Sequence, residues 1–284
     1  MNHKIIDTHV HIWDLEKIRY PWLDGDTTIL NRSYAIDELE PGRKEAGITN
    51  GVFVQAEDSF EDADYMLAMC ETTPWMVGAV CWLPLLDPAA MEKVLTEKYL
   101  KNKYFKGVRR LIHFDANPQW LLQEKVLEGL NILVNYDLPY DVVGIENIHL
   151  ETALKVAEKA PNLRMVIDHL NQPPISTNEF GRWGELMKEV TKHANFYAKI
   201  SGLGTVTKKK EGEWGTADLK PFVEFALEYF GEDRCFCGGD WPVSLLAGGY
   251  AGTWKTYITL LEELLNPAGQ EKVLYKNAKQ FYNL

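Results

Sequence analysis

Cysteine is scarce in this sequence of 284 residues, which contains only Cys70, Cys81, Cys235 and Cys237. The four residues form no Cys-x-x-Cys motif and no pattern typical of a secreted disulfide framework. A chain of this length can bury a large core without disulfides or structural metals. We therefore predict four buried free thiols rather than a redox site.

Excess positive charge is also lacking. Lys and Arg number 30 against 41 Asp and Glu, which gives a formal net charge of −11. The one basic run, Lys208 to Lys210, is followed by Glu211 and Glu213. Because nucleic-acid binding depends on neutralising phosphates, we expect no nucleic-acid partner.

Long apolar runs are absent as well, because no stretch approaches the roughly 20 residues that a membrane span needs. The first residues, Met1 to Ile5, lack the apolar region of a signal peptide. We therefore expect no membrane partner and a cytoplasmic location.

What the sequence does contain is an alternation of short apolar runs with amphipathic stretches. Hydrophobic residues make up 46% of the chain and charged residues 25%, which is an ordinary globular balance. Eight runs have strand character: Ile5–His9, Gly51–Gln55, Val77–Trp82, Lys106–Arg110, Pro139–Val143, Arg164–Asp168, Phe196–Ile200 and Arg234–Gly238. Apolar residues follow helical spacing in the segments 60–72, 150–160, 219–230 and 269–282.

Strands that alternate with helices favour parallel pairing through crossover connections. Eight repeats predict an α/β fold of the closed (β/α)8, TIM-like type, in one domain over residues 1–284. The competing architecture is a doubly wound open sheet. No Gly-x-Gly-x-x-Gly motif follows the first run, which favours the barrel. The long loop 13–35 is expected to cover a functional site.

Titratable side chains stand where several of these runs end. His9 ends the first run and His11 lies two residues beyond it, His169 follows the sixth run, and Asp240 follows the eighth. Residues i and i+2 of a strand share one side, so His9 and His11 would both face the C-terminal mouth of a barrel. Taken one at a time, these positions have ordinary structural explanations. The histidines could lie on a polar face of a strand, and Asp240 could form an Asx turn. Four converging strand ends instead indicate a mononuclear metal site or a metal-free hydrolytic site.

Five further residues are candidates for substrate binding. Lys199 lies inside a strand-like run, where a buried ammonium requires a partner or a polar ligand. Gln55 ends its run, and Arg109 and Arg110 face opposite sides of theirs, so at most one of the two points inward. An Arg and a Gln that line a cavity would suit hydroxyl or carboxyl groups. Trp22 and Trp241 lie beside the motifs and could stack on the apolar face of a sugar ring. Some of the nine tryptophans must nevertheless be core residues.

Taken together, the motifs resemble those of the amidohydrolase superfamily. Within it, the chain is most similar to the L-fuconolactonase-like sugar lactonases, which are akin to 2-pyrone-4,6-dicarboxylate lactonases. The resemblance runs nearly end to end. It is carried by the segments Ile6–Asp14, Tyr20–Leu23, Val54–Ala56, Lys106–Arg109, Val166–Leu170, Lys199–Leu203, Gly239–Pro242 and Asn277–Tyr282. Arg110 stands where the family commonly has His, and Gly239 stands where it commonly has Ser.

The resemblance implies a (β/α)8 barrel and a hydrolase of cyclic esters in sugar-acid catabolism, with His9, His11, His169 and Asp240 at active-site positions. Asp240 and His169 are the expected catalytic residues. In this hypothesis Asp240 is the general base that takes a proton from water and returns it to the leaving ring oxygen. The expected partner is a small-molecule lactone.

The same four residues, His9, His11, His169 and Asp240, are candidate ligands of one divalent metal such as Zn²⁺. A metal-free site is an equal alternative, in which the imidazoles with Lys199 and Arg109 stabilise the oxyanion. The resemblance implies that a binuclear site would use a bridging carboxylated lysine and two further histidines at strand ends. His169 is the one further strand-end histidine here, and the fifth and seventh runs supply Tyr140, Asp141 and Lys199, so a binuclear site is not expected.

Two other functions stay open. The first is a metal-dependent decarboxylase of an aromatic or unsaturated acid, against which the lack of a further strand-end histidine counts. The second is a non-catalytic barrel that binds sugar acids. The intact set of His9, His11, His169 and Asp240 counts against the second.

Overall fold

Eight parallel strands pair in sequence order to form the sheet of the described part of the chain. The structure is a computed structural model that describes residues 4–210 and 212–284. The sequence-based statements on Met1 to His3 and on Glu211 therefore concern residues outside these ranges. The strands are β1 Ile6–Val10, β2 Asn50–Val54, β3 Met76–Cys81, β4 Phe105–Arg109, β5 Tyr140–Val142, β6 Met165–Ile167, β7 Phe196–Ile200 and β8 Cys235–Cys237.

Helices follow the strands and surround the sheet. They are α1 Glu40–Ala46, α2 Phe60–Thr72, α3 Pro88–Glu97, α4 Glu124–Asn135, α5 Asn147–Lys159, α6 Gly181–Thr191, α7 Leu203–Val206, α8 Thr216–Phe230, α9 Tyr250–Leu264, α10 Pro267–Glu271 and α11 Asn277–Phe281. A π-helical turn, Lys272–Lys276, joins α10 to α11. To within one residue at their ends, the four segments predicted as helical from their spacing lie within α2, α5, α8 and the run from α10 through the π-helical turn to α11.

The sheet closes between its first and last strands. The His11 N–H donates to the Trp241 carbonyl oxygen at 2.7 Å, and the Asp240 N–H donates to the His9 carbonyl oxygen at 2.8 Å. Val10 and Trp241 form a parallel bridge in the same place. This closure confirms the predicted (β/α)8 barrel and excludes the doubly wound open sheet. Among the described residues, no helix is long and apolar enough to cross a membrane.

Local sequence signals explain where individual helices begin and end. The Ser59 hydroxyl accepts a hydrogen bond from the Asp62 N–H at 3.1 Å and so caps the start of α2. Helix α1 ends at Gly47, whose φ of 72° lies in the left-handed region that glycine adopts without strain. Cys70, Cys81, Cys235 and Cys237 are buried and unpaired, as predicted.

Apolar side chains fill the barrel interior near the N-terminal ends of the strands. This inner core contains Ile6, Val52, Val54, Val80, Val166, Phe236, Ala278, Phe281 and Tyr282. Three of its members come from the C-terminal segment rather than from strands. Polar groups begin above this layer, towards the C-terminal ends of the strands, where (β/α)8 barrels carry their sites.

An irregularity in β1 changes the direction of its side chains. Asp7 pairs with Gly51 and Val10 with Phe53, so β1 has one extra residue between these two pairs. Asp7 points outward to helix α9, where its carboxylate accepts a hydrogen bond from the Tyr250 hydroxyl at 2.6 Å. His9 instead points into the barrel, towards Lys199 and Arg109.

Candidate active site

Two imidazole rings from the end of β1 meet at the C-terminal mouth of the barrel. The His9 Nε2 and His11 Nε2 atoms are 3.1 Å apart. His11 Nδ1 lies 2.7 Å from the Val54 carbonyl oxygen, which requires that Nδ1 carries the proton and that Nε2 has a free lone pair. The two imidazoles therefore lie within hydrogen-bonding distance of each other at the end of β1.

The opposite side of the His9 ring meets a buried cation. The Lys199 Nζ atom lies 3.4 Å from His9 Nδ1, and an ammonium group can only donate. His9 Nδ1 is therefore the acceptor, and His9 Nε2 carries the proton that it donates to His11. Arg109 Nη1, 3.3 Å from His9 Nε2, is then a close neighbour of that nitrogen rather than its hydrogen-bond donor.

Lys199 belongs to a buried ion cluster inside the barrel. Its Nζ atom lies 2.6 Å from Asp141 Oδ2 and 2.8 Å from Asp168 Oδ1, and none of the three side chains is accessible to solvent. Arg109 Nη1 lies 3.1 Å from Asp168 Oδ2. Two cations thus balance two carboxylates, which is the condition for burying charges in a protein interior.

Gln55 fixes the guanidinium of Arg109 from the neighbouring strand. Arg109 Nε donates to Gln55 Oε1 at 3.1 Å, and Arg109 Nη2 donates to the Gln55 carbonyl oxygen at 2.6 Å. The Gln55 amide in turn donates to Asp58 at 2.8 Å. The next residue, Arg110, points elsewhere and pairs with Asp58 and Asp115.

These surroundings set the protonation states of the site. Burial, with the charges of Lys199 and Arg109 adding to it, holds the pKa of His9 well below its usual value. Burial also lowers the pKa of His11. Both rings are therefore neutral near pH 7. Burial raises the pKa of Asp141 to about 6, whereas Lys199 and Arg109 overcome burial at Asp168 and lower its pKa.

Asp240 lies near the Nε2 atoms of both imidazoles, on the side of the His9 ring that faces away from Lys199. Its Oδ1 atom is 3.6 Å from His11 Nε2 and 3.8 Å from His9 Nε2, and the residue is 4% exposed. Its φ of 55° lies in the left-handed region, which non-glycine residues seldom adopt. Backbone strain of this kind is often found where a side chain must be aimed for function.

His169 shares a wall of the site with Asp240 and Ser201. Its Nδ1 atom lies 2.9 Å from the Ser201 hydroxyl, which orients the ring. Gly202 makes the close approach possible. A Cβ atom at that position would lie 2.7 Å from His169 Nδ1 and 2.8 Å from Asp240 Oδ2. Only glycine therefore leaves room for both functional groups.

The segment that carries His169 has an unusual backbone. His169, Leu170, Asn171 and Gln172 all have φ between 47° and 55°, so four successive non-glycine residues are left-handed. Conformations of this kind cost about 1–3 kcal/mol each and persist only when the surroundings enforce them. The Trp183 indole N–H donates to the Leu170 carbonyl oxygen at 2.8 Å and is one such restraint. The turn directs His169 and Gln172 to one cavity.

That cavity has a volume of about 240 Å³ and opens above the imidazoles. Its polar lining comes from His11, Arg109, His113, His169, Gln172, Thr205 and Asp240. Apolar residues form the remainder, including Trp22 and Leu30 from the loop 13–35, as the length of that loop predicts. Trp22 and Phe114 stack on each other at 6.4 Å between ring centroids.

The candidate residues from the sequence fall into two layers. Five of them, His11, Trp22, Arg109, His169 and Asp240, line the cavity. Four others, His9, Gln55, Lys199 and Trp241, are buried and do not line it. Trp241 packs edge-on against Tyr34 at 5.4 Å between centroids. The assignment of Gln55, Lys199 and Trp241 as substrate-binding residues thus stays a prediction, and their observed contacts are with protein groups.

The proposed metal ligands also divide into two groups. His9, His11 and Asp240 place one ligand atom each within 4.8 Å of one another. His169 belongs instead with His9 and Asp168, which meet the same limit. Two imidazoles and one carboxylate form a donor set that suits Zn²⁺, and the His11 hydrogen bond to Val54 is the outer contact that orients such a ligand.

Several residues of the site were not predicted from the sequence. Asp168 and Asp141 provide the counter-charges for Lys199 and Arg109, and His113 and Gln172 line the cavity. Their signal is position: Asp168 directly follows β6, and His113 stands four residues after β4. The unpaired Nδ1 atom of His113 is buried, and burial lowers the pKa of its ring to about 3.

A family model of amidohydrolases matches residues 6–284 of this chain. The chain belongs to the amidohydrolase family. Its assignment to this superfamily from sequence motifs is confirmed, and with it the description of the protein as an enzyme of that family.

Relatives of this amidohydrolase include two named lactonases. An L-fucono-1,5-lactonase of Burkholderia ambifaria is 29% identical over 283 residues, which cover 98% of this chain and 95% of that protein. An L-rhamnono-gamma-lactonase of Scheffersomyces stipitis is 25% identical over 344 residues, covering 99% of each chain.

A solved amidohydrolase of Burkholderia multivorans shares the fold. In a crystal form with bound HEPES it matches with a TM-score of 0.88 at 23% identity, and the match covers 99% of both chains. A second crystal form of an amidohydrolase from the same organism contains bound zinc and matches with a TM-score of 0.87.

Proposed function

We propose that this amidohydrolase opens the lactone of a sugar acid by water attack, with Asp240 as the general base. The observation that carries the proposal is the Asp240 carboxylate in the cavity wall, opposite two neutral imidazoles and beside His169. The named lactonases among its relatives support the same class of substrate. L-Fuconate- and L-rhamnonate-type lactones are the first substrates to test.

In the proposed mechanism, Asp240 first accepts a proton and later returns it. Its ionised carboxylate takes a proton from the attacking water as the water oxygen bonds to the lactone carbonyl carbon. The tetrahedral intermediate then collapses, the bond to the ring oxygen breaks, and Asp240 returns the proton to that oxygen. The product is the open hydroxy acid, and the base is regenerated. The hydrogen bond from the Asp240 N–H to the His9 carbonyl oxygen holds the main chain of Asp240 at the mouth of the barrel.

The developing oxyanion requires positive electrostatic potential in the same cavity. Arg109 supplies a positive charge at the cavity wall, and its position is fixed by Gln55 and Asp168. His169, oriented by Ser201, presents its other ring nitrogen as the second catalytic group of the proposal. Preorganised groups of this kind need no rearrangement when charge develops.

His9, His11 and Asp240 would hold a divalent metal such as Zn²⁺, because their three ligand atoms lie within 4.8 Å of one another. When bound, such an ion supplies Lewis-acid polarisation of the carbonyl group. The chain's own residues retain their roles in that case: His11 keeps its lone pair towards the site, and Asp240 and His169 stay in the cavity wall.

The substrate is expected to be uncharged at the reacting end. Among the described cavity residues, Arg109 is the one Lys or Arg, and its donors already meet Gln55 and Asp168. In the metal-free site, a carboxylate substrate would therefore meet a guanidinium whose charge is already paired with Asp168. That arrangement favours a neutral lactone over the acid substrate of the alternative decarboxylase. Trp22 offers an indole face at the rim for a sugar ring.

The test is proton release from a panel of sugar 1,4- and 1,5-lactones by wild type, Asp240→Asn and Asp115→Asn. Asp115 pairs with Arg110 outside the cavity and so gives a matched control for loss of a carboxylate. We expect turnover by wild type and Asp115→Asn, and at least a hundredfold lower kcat for Asp240→Asn. Each assay is repeated after chelation.

Three outcomes would contradict the proposal. Equal activity of Asp240→Asn and wild type would remove Asp240 from the role of base. Absence of turnover on every lactone, with carbon dioxide release from aromatic acids, would establish the decarboxylase. Binding of sugar acids by both proteins without any turnover would establish the non-catalytic barrel.

A further inference from the structure

The C-terminal segment of the chain closes the N-terminal end of the barrel. Helix α11 begins at Asn277, whose side-chain amide donates to the carbonyl oxygens of Glu232 and Cys235 at 2.7 and 2.8 Å. This anchors the helix to the start of β8. Phe281 and Tyr282 are each 1% exposed and pack into the inner core of the barrel with Val166 and Phe236.

Tyr282 extends from this apolar layer into the charged layer above it. Its hydroxyl donates to Asp141 Oδ2 at 2.7 Å, and its ring centroid lies 5.7 Å from the Lys199 Nζ atom. Asp141 Oδ1 has no hydrogen-bond partner among the described residues. The carboxylate is thus held through one oxygen, which Tyr282 and Lys199 share.

Lys199 transmits this restraint to the site. Its Nζ atom donates to Asp141 Oδ2 at 2.6 Å and to His9 Nδ1 at 3.4 Å, and it forms an ion pair with Asp168 Oδ1 at 2.8 Å. A shift of the Asp141 carboxylate would move the ammonium, because the ion pair is buried and tight. The donor to His9 would move with it, and that donor fixes which nitrogen of His9 carries the proton.

We propose that Tyr282 is a positioning residue for hydrolysis, acting from the C-terminus through Asp141 and Lys199 on His9. The inference rests on the proposed function, since it assigns a role in that same site. In this proposal the terminal motif Asn277–Tyr282 has two roles. Asn277 and Phe281 close the barrel, and the Tyr282 hydroxyl sets the geometry of the polar layer beneath the cavity.

The decisive variant is Tyr282→Phe, because it removes one oxygen atom and leaves the packed ring. Tyr99→Phe is the matched control. Tyr99 is also fully buried and also donates its hydroxyl to a carboxylate, Asp64, at 3.3 Å, but on the outer helical layer. Both variants are assayed on the lactone that wild type turns over, with the melting temperature measured for each.

We expect Tyr282→Phe to lower kcat about tenfold with KM unchanged, the size expected when one hydrogen bond to a charged group is lost. Tyr99→Phe should keep the wild-type kcat. In the Asp141→Asn background, the same Tyr282→Phe change should have less than about a twofold effect, because the acceptor that it acts through is gone. Equal kcat for Tyr282→Phe and Tyr99→Phe, or an undiminished effect in Asp141→Asn, would overturn the proposal.

A measurement without substrate separates this inference from the proposed function. Protein labelled with ¹⁵N-histidine shows the ring nitrogens of its seven histidines by NMR, and His9→Gln identifies the His9 signals. We expect Tyr282→Phe to shift the His9 Nδ1 and Nε2 signals, while Tyr99→Phe leaves them in place. Unmoved His9 signals would refute the positioning role even if no lactone is hydrolysed. Absence of lactone turnover by wild type, with shifted His9 signals, would refute only the proposed function.

Discussion

His9 and His11 share one proton across a distance of 3.1 Å between their Nε2 atoms. Lys199 donates to the far nitrogen of His9, and the far nitrogen of His11 donates to Val54. The two rings are therefore joined by a hydrogen bond in a fixed direction. Any cation that binds between them must displace that proton, so binding of a metal is coupled to release of a proton.

Zinc binding provides the first prediction. We expect zinc added to chelator-treated protein to bind with one equivalent per chain and to release a proton, measured by isothermal titration in buffers of different ionisation enthalpy. His11→Gln should weaken binding about a hundredfold, because His11 is a direct ligand, whereas His169→Gln should change it less than about threefold. Equal weakening by the two substitutions would instead support the four-ligand set predicted from the sequence.

Lys199 provides a prediction on stability. Lys199→Met would leave Asp141 buried without a counter-charge and would leave Arg109 as the remaining partner of Asp168, so we expect a loss of about 3–5 kcal/mol in the free energy of unfolding. Lys192→Met is the control, because Lys192 pairs with Glu189 on the surface, with side chains 66% and 54% exposed. It should cost less than about 1 kcal/mol. Urea denaturation measures both, and similar values for the two variants would contradict the buried cluster.

The strands could be predicted because their residues leave few alternatives. Runs such as Met165–Ile167 are buried on both faces in a barrel and so are apolar throughout, which is visible without any other information. The convergence of His9, His11 and Asp240 followed from strand ends alone. In parallel barrels all C-terminal ends meet at one mouth, so the sequence position of a residue already gives its place in space.

Depth inside the barrel could not be predicted in the same way. Lys199 lies on β7 and His169 lies just after the end of the neighbouring strand β6, yet Lys199 lies in a closed layer and His169 in the cavity wall. The difference depends on the stagger between strands and on the left-handed turn at His169 to Gln172. Non-glycine residues seldom adopt that conformation, so no local pattern indicates it. The pairing of Lys199 with Asp141 likewise joins residues 58 positions apart.

The buried carboxyl group of Asp62 provides a prediction on pH. Asp62 accepts hydrogen bonds from the Tyr20 hydroxyl at 3.1 Å and from the Ala56 N–H at 3.0 Å, and so fastens the loop 13–35 to β2 and α2. Burial raises its pKa to about 7. A carboxyl group whose pKa is raised in the folded state favours folding below its unfolded pKa, and this contribution is lost as the pH rises through 7.

Asp62→Asn removes that titration and keeps the side-chain shape. Relative to wild type, we expect the variant to gain about 2 kcal/mol in the free energy of unfolding between pH 5 and pH 8, measured with urea. Asp218→Asn is the control. The hydrogen bond from Lys209 lowers the pKa of Asp218, so the difference between this variant and wild type should be constant above pH 5. A difference for Asp62→Asn that does not change with pH would show that this carboxyl group does not titrate in that range.

Gly239 provides the last prediction, at a position where the resemblance to the family leads one to expect Ser. Gly239 donates its N–H to Asp7 at 2.8 Å, next to Asp240. A Cβ atom there would lie 2.4 Å from Tyr250 Cε2 and 2.6 Å from both Asp7 Oδ2 and Trp254 Nε1. Burial already raises the pKa of Asp7 to about 6, so its carboxylate depends on these donors. Gly239→Ser would therefore displace the buried hydrogen bonds that Asp7 accepts, next to the proposed base Asp240.

We expect Gly239→Ser to lower the free energy of unfolding by about 1–3 kcal/mol, as overpacking of a core does, and to lower kcat through displacement of Asp240. Gly252→Ser is the matched control on helix α9, because a Cβ atom at Gly252 has nothing within 4 Å. It should match wild type in kcat and remain within about 0.5 kcal/mol in stability. If Gly239→Ser were as stable and as active as Gly252→Ser, the close packing of Asp7, Tyr250 and Trp254 around Gly239 would not determine the position of Asp240.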